Sequence, residues 1–166
     1  MENKNDDINS NYTRHYAKRT DTKVYPTEFV VRTFLANYPN LNFKKPIAGD
    51  KILDIGFGDG RNTAFLCDCQ LVVSGIEITQ EIVVQTQGRL SQFGYNPDLR
   101  VGRNSSIPFE DETFDYILAC HCCYYCDEGQ TLHDNLREYS RVLKKDRFLI
   151  ASVADRSSFI FKGAEE

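Results

Sequence analysis

The stretch Lys51-Ile52-Leu53-Asp54-Ile55-Gly56-Phe57-Gly58-Asp59-Gly60-Arg61-Asn62 constrains this chain more than any other. An apolar β-run delivers one acid, three glycines then alternate with other residues, and a helix-forming segment follows at once. The pattern predicts a strand, a tight turn and a helix N-terminus. Glycine tolerates positive φ and lacks a Cβ, so a ligand can approach the backbone closely while the amides opening the helix face it. The turn is built to hold a ligand.

Spacing narrows the ligand. The dinucleotide fingerprint is G-x-G-x-x-G with an acid about 20 residues on, whereas this chain reads G-x-G-x-G. Asp54 stands two residues before the first glycine. Glu77 closes the next apolar run, Leu71-Val72-Val73-Ser74-Gly75-Ile76-Glu77-Ile78. A carboxylate at the end of a second parallel strand accepts hydrogen bonds from both ribose hydroxyls. An adenosine is implied.

Four segments, in this order from about Lys51 to about Val153, resemble the class I S-adenosylmethionine-dependent methyltransferases, small-molecule members above all. Lys51–Gly60 looks like the family's glycine loop and Glu77 like its ribose acid. Gly102-Arg103-Asn104-Ser105-Ser106-Ile107-Pro108-Phe109 is similar to its adenine segment, and Phe114-Asp115-Tyr116-Ile117-Leu118-Ala119-Cys120-His121 to its fourth strand. The resemblance implies S-adenosyl-L-methionine as cofactor and a small-molecule methyl acceptor. It implies a cofactor site of Asp54, Gly56, Phe57, Gly58, Gly60, Glu77, Ile78, Asn104, Ser105 and Cys120. Carbonyls of Gly56 and Cys120 occupy the places where the family holds the cofactor's ammonium group. The sulfonium methyl is already activated, so the protein has chiefly to align an acceptor lone pair, exclude water and take up any proton.

Two departures accompany the likeness. After Gly102 the family often has an acid that accepts the adenine amino hydrogen, but here stands Arg103, which has no acceptor. Asn104 or Ser105 is expected to supply the oxygen, although both residue types also serve turns. Past the fifth strand only Ala154 to Glu166 remain, with no room for the family's usual last helix and antiparallel strands. The expectation is a chain cut from a longer protein, or a minimal form whose open edge is covered by association, as in a homodimer.

His121 follows the fourth strand directly and carries an imidazole, the side chain most often used in proton transfer, which makes it the acid-base candidate; passive lining of the pocket is the competing reading. Tyr124, Tyr125, Asp127 and Glu128 share its loop and could shape the acceptor site. Six cysteines include the dense run Cys120-His121-Cys122-Cys123-Tyr124-Tyr125-Cys126 and the pair Cys67 and Cys69. The topology puts the two groups at opposite ends of the strands, so they are read as reduced, small apolar side chains and not as a metal site.

Length, 166 residues, fits one domain with a real core. A net charge of −4 with a pI near 5.4 argues against a nucleic-acid surface. No signal peptide and no membrane-length apolar run is visible, which points to the cytoplasm.

Residues 1–23 read as a polar arm or lid in which Tyr12 and Tyr16, with Tyr25 just beyond, could close over the cofactor. Residues 24–166 form the cofactor-binding domain. Within it, helices are expected from Pro26, over Asn62–Asp68, over Thr79–Phe93 with Thr79 as N-cap, and over Thr131–Leu143 with Leu132, Leu136, Tyr139 and Leu143 on one apolar face. Strands fall at Leu99–Arg103, Phe114–Cys120 and Phe148–Val153 besides the two already named. Strands alternating with helices predict an α/β, Rossmann-like, doubly wound and mostly parallel sheet of five recognised strands with helices on both faces. Two other classes stay open: a dehydrogenase relative binding NAD, and a non-catalytic module that keeps the fold.

Overall fold

The computed structural model describes residues 4–17, 24–38 and 42–155, with side chains 9–16 in the first segment. Ten elements follow in order: α1 (Lys4–Ala17), α2 (Glu28–Leu35), β1 (Lys51–Ile55), α3 (Arg61–Asp68), β2 (Val72–Glu77), α4 (Gln80–Gln92), β3 (Asp98–Val101), β4 (Phe114–Cys120), α5 (Leu132–Val142) and β5 (Leu143–Ser152). The five strands form one sheet in the order β3-β2-β1-β4-β5, every pairing parallel. This is the expected Rossmann-like arrangement. Strand order reverses at β1, whose neighbours are β2 and β4, so the loops leaving β1 and β4 diverge and open a crevice at the strands' carboxyl ends.

Side-chain alternation along the central strands builds a core on each face. Leu53 and Ile55 of β1 join Ile76, Ile117 and Ala119, closed by Tyr139 and Val142 of α5. Ile52 points the other way and joins Val73, Tyr116, Leu118 and Ile150, covered by Val30 and Phe34 of α2 and Leu66 of α3. Burying each such side chain is worth roughly 1.5–3 kcal/mol, and β4 carries most of this load, with Phe114–Ala119 buried throughout.

Local signals fix the helix ends. Thr79 caps α4 by accepting the Ile82 N–H at 3.3 Å. Asp134 accepts both the backbone N–H and the hydroxyl of Thr131 at the entry to α5. Thr27, which caps α2, sends its N–H to Asn62 Oδ1 at 3.0 Å and so ties α2 to α3.

Two expectations need correction and one gains detail. The polar arm or lid contains a helix, α1, which packs against α4. On α5 the buried residues are Asn135, Tyr139 and Val142, while Leu132 and Leu136 stand 46% and 42% exposed. The leucine spacing suggested a face one position out of phase, because a polar Asn occupies the inner position. Finally, β5 begins at Leu143, which pairs with Phe114. The residues up to Phe148 bulge out, with Asp146 at φ 59, so the predicted strand from Phe148 corresponds to the straight portion alone.

Candidate functional site

The glycine loop crosses the end of β1 in a left-handed conformation, with Gly56, Gly58 and Gly60 at φ 64, 53 and 75. Its shape is enforced from beneath by α4. Thr86 donates its hydroxyl to the Gly58 carbonyl at 2.6 Å, and the buried Arg89 donates to the Asp59 carbonyl at 2.6 Å. Above, a Cβ on Gly58 would meet the Tyr16 ring and hydroxyl at 2.6–3.0 Å. The loop is a backbone cradle with no side chain of its own at its three glycines, where Cys122, Tyr16 and Thr86 approach too closely to admit a Cβ without moving.

Two carboxylates face this cradle. Glu77, buried at the end of β2, accepts the Gly58 N–H through Oε1 and the Ile78 N–H through Oε2, both at 2.9 Å. Burial pushes its pKa up, and the two amides pull partly the other way. Asp54, 1% exposed, accepts the Thr63 hydroxyl at 2.7 Å. Burial raises it to about 7; the Thr63 hydrogen bond opposes that shift, and the neighbouring Glu77 and Asp59 charges add to it. Asp59, also buried, is held by the Arg61 guanidinium. Phe57 turns its ring into a cluster with Ile82 and Val83, leaving its backbone in the loop, and Ile78, Tyr12 and Tyr16, all partly buried, pack against that cluster.

On the β4 side the contacts are made by side chains. His121 is exposed and takes φ 57, and its N–H donates to Ser152 Oγ at 3.0 Å, joining the ends of β4 and β5. Cys120 is half-buried and accepts from the same Ser152 hydroxyl. The Cys122 thiol donates to the Ile55 carbonyl at 3.0 Å and lies against Gly56, and burial raises its pKa well above the ordinary thiol value. Asn104 is engaged in the protein: its amide donates to the Cys122 and Tyr125 carbonyls at 2.9 Å, and its oxygen accepts from Tyr139 at 2.9 Å. Ser105 points its hydroxyl at Asp127, 3.4 Å away, and Arg103 pairs with the same carboxylate at 2.8 Å. Asn135 braces the loop from α5 through the Cys123 and Tyr125 carbonyls, each at 3.0 Å.

The arm reaches both sides. Tyr12 and Tyr16 pack against Phe57, Ile82 and Val83, and Thr13 shares a 3.3 Å hydroxyl contact with Thr79. The Tyr12 ring also meets Tyr125 edge-on with centroids 6.5 Å apart. Tyr25 stands apart at 73% exposure. Cys67 lines a groove of about 580 Å³ with Lys51, Val72 and Asp98, at the strands' amino ends and away from the glycine loop. Among the described residues no three His, Cys, Asp or Glu side chains gather around a point where a metal ion would fit. No described helix is long and apolar enough to cross a membrane.

The structure therefore gathers Asp54, the three glycines, Glu77 and Ile78 on one wall, and Asn104, Ser105, Cys120 and His121 on the other. Sequence reading missed Thr63, Thr86, Arg89 and Asn135, buried polar residues on helices. Their one sequence signal is a polar side chain interrupting an apolar helix face.

A methyltransferase-domain family model matches residues 52–146. The demethylmenaquinone methyltransferase of Tropheryma whipplei is 30% identical over 93 residues, 51% of this chain and 38% of that protein. The protein-L-isoaspartate O-methyltransferase 1 of a Polaromonas species is 37% identical over 71 residues, 42% of this chain and 30% of that protein. The match thus spans well under half the length of either curated relative. A SAM-dependent methyltransferase from Aquifex aeolicus superposes with a TM-score of 0.64 at 20% identity, over 88% of this chain and 77% of that one, which is a likeness of fold. With its glycine loop, parallel sheet and matched core, the chain belongs to the methyltransferase-domain family and has the Rossmann-like fold of the class I enzymes whose cofactor is S-adenosyl-L-methionine.

Proposed function

We propose that this chain binds S-adenosyl-L-methionine across the glycine loop and transfers its methyl group to a small-molecule acceptor by direct in-line displacement. The observation that carries the reading is a backbone turn at Gly58 that carries no side chain of its own, beside the buried Glu77 carboxylate that holds its amide. A buried acid holding two amides by itself is ready to exchange one of them for a pair of hydroxyls, and carboxylate hydrogen bonds of this kind are worth about 1.5–3 kcal/mol each.

The roles divide by wall. Glu77 takes the ribose hydroxyls, Ile78 packs against the base, and Ser105 with the backbone of the Asn104 segment meets the adenine edge. The Asn104 side chain holds the neighbouring loop in place while doing so. Asp54, Gly56, Phe57, Gly58 and Gly60 shape the turn over the methionine and sugar, and the Gly56 and Cys120 carbonyls receive the ammonium group. The bound cofactor supplies an electrophilic methyl on sulfur. His121, exposed at the mouth, takes the proton from the acceptor. A net charge of −4 and the absence of a long apolar helix among the described residues support a small acceptor met in the cytoplasm over nucleic acid or membrane.

Calorimetry with S-adenosylmethionine, S-adenosylhomocysteine and NAD tests the reading. Micromolar binding of the first two with none for NAD supports it; preference for NAD, or no binding of any, refutes it.

A further inference from the structure

We propose that α1 is an occluding helix: Tyr16 covers the face of Gly58 that the cofactor must reach, so the helix and the cofactor exclude one another there. This rests on the cofactor reading above and adds a control over the same site.

The geometry is direct. The point where a Cβ of Gly58 would sit lies 2.6 Å from the Tyr16 hydroxyl oxygen and 2.7 Å from the ring carbon that bears it. Non-bonded carbons settle at about 3.5–4.0 Å, so no second group fits between that ring and the loop. Tyr12 lies close by, its ring edge-on to Tyr125 with centroids 6.5 Å apart, and burial, then the Tyr125, Tyr16 and Glu77 groups around it, raise its pKa. One helix thus lies across both walls of the crevice, over the cradle on the β1 side and against the Tyr125 loop on the β4 side.

The attachment is light enough to reverse. The sequence of α1, KNDDINSNYTRHYA, is polar on nearly every side, and an isolated helix shorter than roughly 15 residues is marginal in water. Its anchors among the described side chains include the half-buried Tyr12 and Tyr16 against Phe57, Ile82 and Val83, the Tyr12 ring edge-on to Tyr125, and the Thr13–Thr79 hydroxyl contact. A ligand that binds only the open form has its apparent affinity reduced by the fraction of molecules that are open. Weakening the anchors raises that fraction.

The test uses the full chain. Tyr16→Ala is expected to bind S-adenosylhomocysteine at least threefold tighter and to associate faster, measured by calorimetry and stopped-flow. Thr13→Val, which loosens the helix without touching Gly58, is expected to shift both in the same direction by less. Amide hydrogen exchange over residues 9–16 is expected to quicken when S-adenosylhomocysteine is added to the parent chain. Unchanged or weaker binding by Tyr16→Ala, or slower exchange over 9–16 on adding the ligand, overturns the proposal and makes α1 a lid that closes over the cofactor. A parent chain that binds no S-adenosylhomocysteine overturns the cofactor reading and this proposal with it, an outcome distinct from binding that Tyr16→Ala fails to improve.

Discussion

The two walls of the crevice are built differently. On the β1–β2 side the surface is backbone, glycines at positive φ with Glu77 accepting from the Gly58 and Ile78 amides, and it is braced by buried side chains of α4. On the β4 side the surface is side chain, with Asn104, Asn135, Arg103 and Asp127 stitching a loop whose members, the buried Cys123 apart, are exposed or half-buried. Backbone held from behind is rigid and blind to chemical detail, which suits a constant ligand. A loop held by side-chain hydrogen bonds can be re-specified by substitution, so its outer residues can vary with the proposed acceptor while the Asn104 segment and Cys120 serve the proposed cofactor.

The comparison breaks most readily at Gly58. Gly58→Val forces a branched residue to φ 53 and fills the cradle. We expect S-adenosylhomocysteine affinity to fall by at least about 100-fold, roughly 3 kcal/mol or more, with the far-ultraviolet circular dichroism unchanged. Parent-like affinity would move the site off this wall. Next in size is Asn135→Ala, which strips two loop carbonyls of a fully buried donor. Its cost is roughly 2–3 kcal/mol of unfolding free energy, read by denaturant titration. If the walls are independent, S-adenosylhomocysteine affinity in the folded protein drops far less than in Gly58→Val.

Glu77→Gln keeps the size and one acceptor but loses the charge. Affinity should fall by roughly 1.5–3 kcal/mol; equal affinities for variant and parent would remove Glu77 from the ribose site. The smallest effect is a pH dependence. Asp54 has its folded pKa raised to about 7 from 3.8, so the folded state keeps a proton that the unfolded chain has released. The stability this group contributes is complete below about pH 4, declines as pH rises to 7 and is absent above. The decline is at most about 1.4 kcal/mol per pH unit. Glu77 shifts in the same sense while Asp115, Asp134 and Glu138 shift oppositely, so the measurement is the difference between parent and Asp54→Asn. That difference should grow from pH 4 to 7 and then level off; a constant difference means that Asp54 is ionised throughout.

What could be read from the sequence follows the same division. The glycine loop and Glu77 are local: strand, turn and acid lie within one stretch of chain or at the end of the next strand. The pattern of apolar runs was enough to place all five strands. Thr86 and Arg89 meet the loop across 28 and 30 positions, a relation that no local pattern encodes. Arg103 read as the loss of an acceptor, yet it holds Asp127, 24 positions on, at the edge of the same segment. Leu132 and Leu136 misled because spacing gives the period of a helix and not its phase. The helix in the arm escaped because the stripe of Ile8, Tyr12 and Tyr16 at four-residue spacing is narrow within an otherwise polar sequence, and two of those tyrosines, docked on the Phe57, Ile82 and Val83 cluster, hold it.

The bracing by α4 also changes how the pocket could be engineered. A Cβ on Gly60 would meet the Thr86 methyl at 2.8 Å and the two Leu90 methyls at 3.3 Å, so the loop rests on the helix with no slack. Thr86→Ser keeps the hydroxyl that holds Gly58 and deletes that one methyl, which lets the floor of the cradle settle without altering any group in its lining. The proposed cofactor cradle is thus open to adjustment from the underside, by volume rather than by contact, at a residue that does not line it.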